Sequence, residues 1–202
     1  MRSRNLWIAL ISVSFSCAGT LAAEKIKEPK GFVRANLKKD APSHVVEYFK
    51  KTEAGRLEAY AQSEAVYKKY KNGKSAEQKK IVANAEREMK GFTEDISSWA
   101  PVMPLGVQVG SIGTLGMTKI EQVIGPRRAL MRKYANDDTK GFLFLLQGVS
   151  TEGWTDANRM SANLNMTLVV TGTETYTTAL GSSKTTLVFE QFNAADYVVK
   201  KP

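Results

Sequence analysis

Four cations close together, Arg127, Arg128, Arg132 and Lys133, and a tryptophan in a polar loop, Trp154, are the side chains best placed by type and spacing to do binding chemistry. Arg128 and Arg132 share a face by strand parity. With Phe142, Phe144 or Trp154 nearby, such a face can stack and hold a sugar polymer or a single-stranded nucleic acid. A solvated edge strand guarded by charge accounts for the same residues, and that simpler account is preferred. Trp154, within Glu152-Gly153-Trp154-Thr155-Asp156, serves either as an exposed ligand platform or as a cover over the mouth of a barrel.

Groups that could break bonds are scarce. Glu152, Asp156, Glu174 and Glu190 could supply a carboxylate pair for glycoside cleavage, but such a pair needs a separation of roughly 5–9.5 Å across a cleft, and nothing in the sequence sets it. Gly110-Ser111-Ile112-Gly113-Thr114-Leu115-Gly116 lacks the Gly-Lys-Ser/Thr ending and following helix of a phosphate loop. These glycines are expected at a sharply bent strand instead. The only histidine is His44 and the only cysteine is Cys17. Beyond Cys17 there is no thiolate nucleophile or disulfide, and zinc sites built from Cys and His are excluded. No Asp-x-Asp-x-Asp-Gly calcium loop occurs. Asn165-Met166-Thr167 fits a glycosylation sequon, relevant only in a eukaryotic secretory pathway. No cofactor or metal is therefore expected, and the chain is read as non-enzymatic.

The elements that must position these residues follow an export signal. Arg2 and Arg4 precede an uncharged apolar stretch from Leu6 to Ala18, then the small-residue end Gly19-Thr20-Leu21-Ala22-Ala23. That is the layout of a secretory signal peptide over residues 1–23, with an apolar core too short to span a bilayer. The residues before Cys17, Ser14-Phe15-Ser16, fit the lipoprotein pattern poorly, so lipidation is not expected. No later stretch is long and apolar enough to span a membrane. Of the formal charge of +9 on 202 residues, the two arginines of the signal leave +7 for the remainder. A basic protein exported to the periplasm or the extracellular space meets cell-wall polyanions, lipid head groups or acidic polysaccharide, and export argues against nucleic acid as partner.

Residues 24–42, charged and interrupted by Pro29 and Pro42, are read as a linker. Residues 43–98 are read as a helical hairpin. Ser43 is placed at the first cap, with an apolar stripe of Val46, Phe49, Leu57, Tyr60, Ala61 and Ala65 and a left-handed stop at Asn72-Gly73. Gly55 weakens the middle of this helix. Ser75-Ala76-Glu77-Gln78 is a capping box opening a second helix striped by Ile81, Val82, Ala85, Met89, Phe92 and Ile96. Two such helices on a short connection pack as an antiparallel pair. After Trp99-Ala100-Pro101 the period shifts towards two. Strands are expected at roughly 106–115, 118–124, 127–134, 141–149, 165–179 and 184–192, the fourth central because it is apolar on both sides. A hairpin turn falls at Gly181-Ser182-Ser183-Lys184. Residues 105–192 thus make a small antiparallel β-barrel, OB-like or SH3-like, and 193–202 a C-terminal tail. The fold class is α+β.

The runs Val123-Ile124-Gly125-Pro126-Arg127-Arg128-Ala129-Leu130-Met131-Arg132, Leu146-Gln147-Gly148-Val149-Ser150-Thr151-Glu152-Gly153 and Thr171-Gly172-Thr173-Glu174-Thr175-Tyr176-Thr177-Thr178-Ala179-Leu180-Gly181 resemble exported bacterial proteins of unknown function that end in a small β-barrel module. The resemblance spans residues 105–192 and implies a fold and a habitat, with no activity and no functional residues attached. The expectation for function is an exported, non-enzymatic binding or structural protein, its partner an unidentified protein or an anionic polymer of the cell envelope. A polyanion-binding module using the arginine strand is the alternative, and a small carboxylate hydrolase the third.

Overall fold

The computed structural model describes residues 26–104, 106–133, 141–155, 161–163, 166–177 and 181–199. The signal segment with Cys17, the stretch Asn136-Asp137-Asp138 between the third and fourth expected strands, Asp156 and Asn165 lie outside them. Among these residues two helices, α1 (Ser43–Tyr70) and α2 (Ala76–Glu94), precede seven strands and a final 3-10 turn, Ala194–Tyr197. No described helix is long and apolar enough to cross a membrane.

The capping box of α2 forms as read: Gln78 N donates to Ser75 Oγ at 3.1 Å, and Ser75 N donates to Gln78 Oε1 at 3.2 Å. The ends of α1 differ from expectation. Pro42 occupies the cap position without a side-chain bond, and Ser43 is already helical. Lys71 ends the helix in a right-handed conformation, and Gly73 is not left-handed. Gly73 instead lies against the capping box, where a Cβ would come within 2.6 Å of Gln78 Cβ.

The buried face of α1 is also rotated from the expected stripe. Val45, Tyr48, Phe49, Thr52, Gly55, Arg56 and Ser63 are buried, whereas Ala65 is exposed. Only Phe49 is common to both sets. Ser63, a polar member of that face, is satisfied there, its Oγ donating to Glu88 Oε2 of α2 at 3.0 Å, while Thr52 Oγ1 is buried with no partner among the described residues.

The strands are β1 (Ile112–Gly113), β2 (Met117–Gly125), β3 (Arg128–Lys133), β4 (Phe142–Gln147), β5 (Ser161–Asn163), β6 (Leu168–Thr177) and β7 (Ser183–Gln191). They form one curled sheet, half a barrel, in the order β1-β6-β7-β4-β3-β2-β5, with β4 at the centre. The sheet is mixed, which corrects the wholly antiparallel expectation: β7 runs parallel to β4, with Phe144 opposite Leu187. Local turn signals reveal hairpins such as β6–β7. They say nothing of the non-local pairing that lays that hairpin beside β4. Among the described residues no ladder joins β1 to β5. The expected first strand contracts to two residues, and β5 arises from a stretch read as loop.

One face of the sheet carries the larger core: Ile120, Ala129, Met131, Phe144, Leu146, Leu168, Val170 and Phe189, covered by Met103 and Leu115. The second core joins the helices to the sheet, with Val45, Tyr48 and Phe49 of α1 packed around Phe192. The Tyr48 and Phe192 rings meet edge-on at 5.0 Å, and Tyr197 stacks on Phe192 at 5.4 Å. Residues 26–42 dock along this seam. Val33 N donates to Thr93 O, Lys38 N to Tyr197 O and Val199 N to Asn36 O, each within 2.8–2.9 Å. Arg56 is fully buried behind that arm. It donates to the carbonyls of Val33, Phe92 and Thr93 at 2.8–3.0 Å, and its guanidinium lies over the Phe32 ring at 4.5 Å.

Candidate functional site

The second face of the sheet carries the candidate site. Register places Arg128, Leu130 and Arg132 of β3 on it, opposite Gln147, Leu145 and Leu143 of β4. Gln122 of β2 pairs with Leu130, and Glu174 of β6 pairs with Thr186 of β7. Arg128 Nη2 and Glu174 Oε1 form an ion pair. β3 and β6 are separated by β4 and β7, so in a flat sheet their backbones would stand about 14 Å apart. Their contact requires this face to be concave. The register shifts between Val170 and Gly172 in β6 and at two points in β2 supply the bend.

The resulting groove has a volume of about 300 Å³. Leu130, Leu145 and Ile124 give it apolar surface, Tyr176 an aromatic one, and Thr175, Thr177, Thr186 and Gln122 polar ones. Leu145 is almost wholly buried, whereas Ile124 is half exposed. Thr186 Oγ1 donates to Leu143 O at 2.7 Å, and the Thr175 and Thr185 hydroxyls bond at 3.3 Å. Among the described residues, Arg128 Nε is buried without a partner.

The basic cluster read from the sequence divides. Arg128 and Arg132 share this face, but each is held by an acid. Arg132 Nε donates to Glu121 Oε1 at 2.7 Å, and Lys119 Nζ lies 3.8 Å from the same carboxylate. Arg127 is exposed at the β2–β3 turn and donates through Nε and Nη2 to Gly148 O. Lys133 points to the opposite face, buried, with Nζ donating to Met103 O. The four cations make no continuous positive surface. Parity predicts the pairing of Arg128 with Arg132 and equally the inward turn of Lys133, whereas the acids come from β2 and β6 and leave no local signal.

Burial holds the Lys133 ammonium below the ordinary lysine pKa. The unfolded chain therefore binds more protons between that lowered value and the ordinary one, and the Lys133 contribution to stability rises with pH through that window. Lys133→Met is expected to fold with stability within about 1 kcal/mol of the parent at neutral pH. It should also flatten the alkaline rise in stability, read by urea denaturation across a pH series.

The remaining candidates lie elsewhere. Trp154 is half-buried against the larger core, and its backbone N–H donates to Thr151 O at 3.0 Å. Glu190 lines a separate cleft of about 350 Å³ with Arg127 and Gln147, and Glu152 is exposed in a turn. The described carboxylates of the proposed pair are thus distributed over different places, with Glu174 engaged by Arg128. His44 borders a hollow of about 190 Å³ with Glu47, Tyr48 and Lys51. Gly110 and Gly116 are left-handed at bends flanking β1, and a strand follows them. Among the described residues, no group of three His, Cys, Asp or Glu is disposed to hold a metal ion.

Glu174 as the partner of Arg128, and Tyr176 beside it, are the members of the groove that sequence reasoning did not assemble. The alternation in Thr173-Glu174-Thr175-Tyr176-Thr177 marks the strand, but not its arch over β3. No protein-family model, curated protein or solved structure matches the chain.

Proposed function

We propose that this is an exported, non-catalytic binding protein of the periplasm or extracellular space, and that the concave groove around Arg128 and Glu174 is its recognition face. In this reading the half-barrel recognises ligand as OB-like and SH3-like barrels do, and the helical pair is its support. The observation that carries it is the composition of the groove: apolar surface, an aromatic ring, hydroxyls and one compensated ion pair converging in one concavity. Compensated charge favours an uncharged, hydroxyl-rich ligand, a neutral glycan chain, over a polyanion. The Tyr176 ring offers stacking surface, while the carboxylate and guanidinium accept and donate to hydroxyls.

The test is retention of purified protein on a neutral glycan, an acidic polysaccharide and single-stranded DNA, at low and at near-molar salt. Retention on the neutral glycan at both salts is expected, weakened about tenfold by Tyr176→Ala. Retention only on the anionic polymers, and only at low salt, would replace this reading with counterion-driven binding.

A further inference from the structure

We infer that the outer edge of β6 pairs with the same edge of a second copy of this chain. The edge is occupied on its first part only: Ile112 and Gly113 of β1 pair with Val169 and Leu168, and Val170 bonds to Gly110 and Ser111. From Thr171 to Thr177, β7 is the only described strand beside β6. Thr173, Thr175 and Thr177 are exposed there. Unpaired edges ordinarily carry Lys, Pro or a bulge as protection. Thr173-Glu174-Thr175-Tyr176-Thr177 has no Lys or Pro, and the bulge of β6 lies before it.

The pattern of this segment is self-complementary in one register. An antiparallel pair centred on Glu174 would oppose two like charges. Centred on Thr173, Glu174 faces the bare backbone of Gly172. Centred on Thr175, Glu174 faces Tyr176 of the second copy in both directions, a carboxylate opposite a phenol that can donate to it. Thr173 then faces Thr177 and Thr175 faces itself. The existing Thr175–Thr185 contact extends across the two-fold into a ladder of four threonines, the cross-strand pairs that β-sheets favour. A two-fold, isologous contact of this kind closes on itself and gives a dimer rather than a fibre. The pairing rests on the strand edge and not on the ligand reading, although Glu174, Thr175 and Tyr176 also line the groove.

The ladder is short, so association should be weak and concentration-dependent. Sedimentation velocity across a wide concentration range should show the mass doubling as concentration rises. Thr175→Lys and Thr175→Glu should each sediment as monomer, because each sets like charges opposite one another at the axis. Mixing the two in equal amounts should restore a heterodimer, which also shows that both variants are folded. A parent protein that stays monomeric throughout, variants that dimerise as the parent does, or a mixture that fails to associate would each overturn the inference.

Discussion

Replacing Arg56 with methionine is expected to lower stability by about 3 kcal/mol and to release residues 26–42 from the hairpin. Arg56 occupies the interior of a helix face with no exposure to water. Burial pulls its pKa down, and nearby Glu53 and Asp95 pull it up, but the group stays charged. It is tolerated because three carbonyls and the Phe32 ring surround it. Two of those carbonyls, Phe92 O and Thr93 O, belong to the last turn of α2, where acceptors have no partners within the helix and the dipole favours a cation. The third, Val33 O, belongs to the arm. Without the guanidinium, Phe92 O and Val33 O lose the bonds that hold them, while Thr93 O keeps Val33 N. Removing the buried charge returns part of its desolvation cost, so the net loss falls below the sum of three charge-assisted bonds. The strain relaxes most readily if the arm leaves and its carbonyl meets water. Two readouts follow: a thermal midpoint lowered by roughly 6–12 °C, and faster tryptic cleavage at Arg34 and Lys38. Arg56→Lys keeps the charge but not the planar fork, so it should recover less than half of the loss. Equal protease resistance of the parent and Arg56→Met would show that the arm is held by its other contacts, among them Arg34 to Glu53 at 2.6 Å.

How far such a clamp could be read from the sequence depends on what signals it. Periodicity and caps carry local information, and with them the capping box at Ser75, the second helix, the central position of β4 and most strand positions were legible. The buried face of α1 was not, because Arg56, Thr52 and Ser63 are polar and an apolar count places them outside. Arg56 and Ser63 are held inward by carbonyls and a side chain 23 or more residues away, whereas Thr52 Oγ1 is buried with no partner among the described residues. The groove follows the same division. Strand parity predicts that Arg128 and Arg132 share a face. The curl that brings Glu174 of β6 to Arg128 rests on bulges and on the insertion of β7 beside β4, which alternation does not encode.

The sharpest contrast between local propensity and tertiary packing is at Gly55. Helix propensity alone makes Gly55→Ala a gain of up to about 1 kcal/mol. In this fold it is expected to cost about 2 kcal/mol. A Cβ on Gly55 would lie 2.4 Å from Trp99 Cη2 and Cζ2, so the indole must move. The ring is rigid, and the chain just beyond it is fixed: Thr114 N donates to Pro101 O, and Met103 N to Thr114 O. Displacing Trp99 therefore pulls on the segment that brings Met103 over the larger core and offers Met103 O to Lys133. The decisive measurement is a double-mutant cycle by chemical denaturation. In a Trp99→Ala background the obstacle is gone, and Gly55→Ala should become stabilising by up to about 1 kcal/mol. The coupling between the two sites would then be about 2–3 kcal/mol. Additive effects would mean that the indole moves aside without cost. The reversal of sign would establish that a residue poor for the helix is retained there because the indole needs its place, tying the helical pair to the sheet that carries the groove.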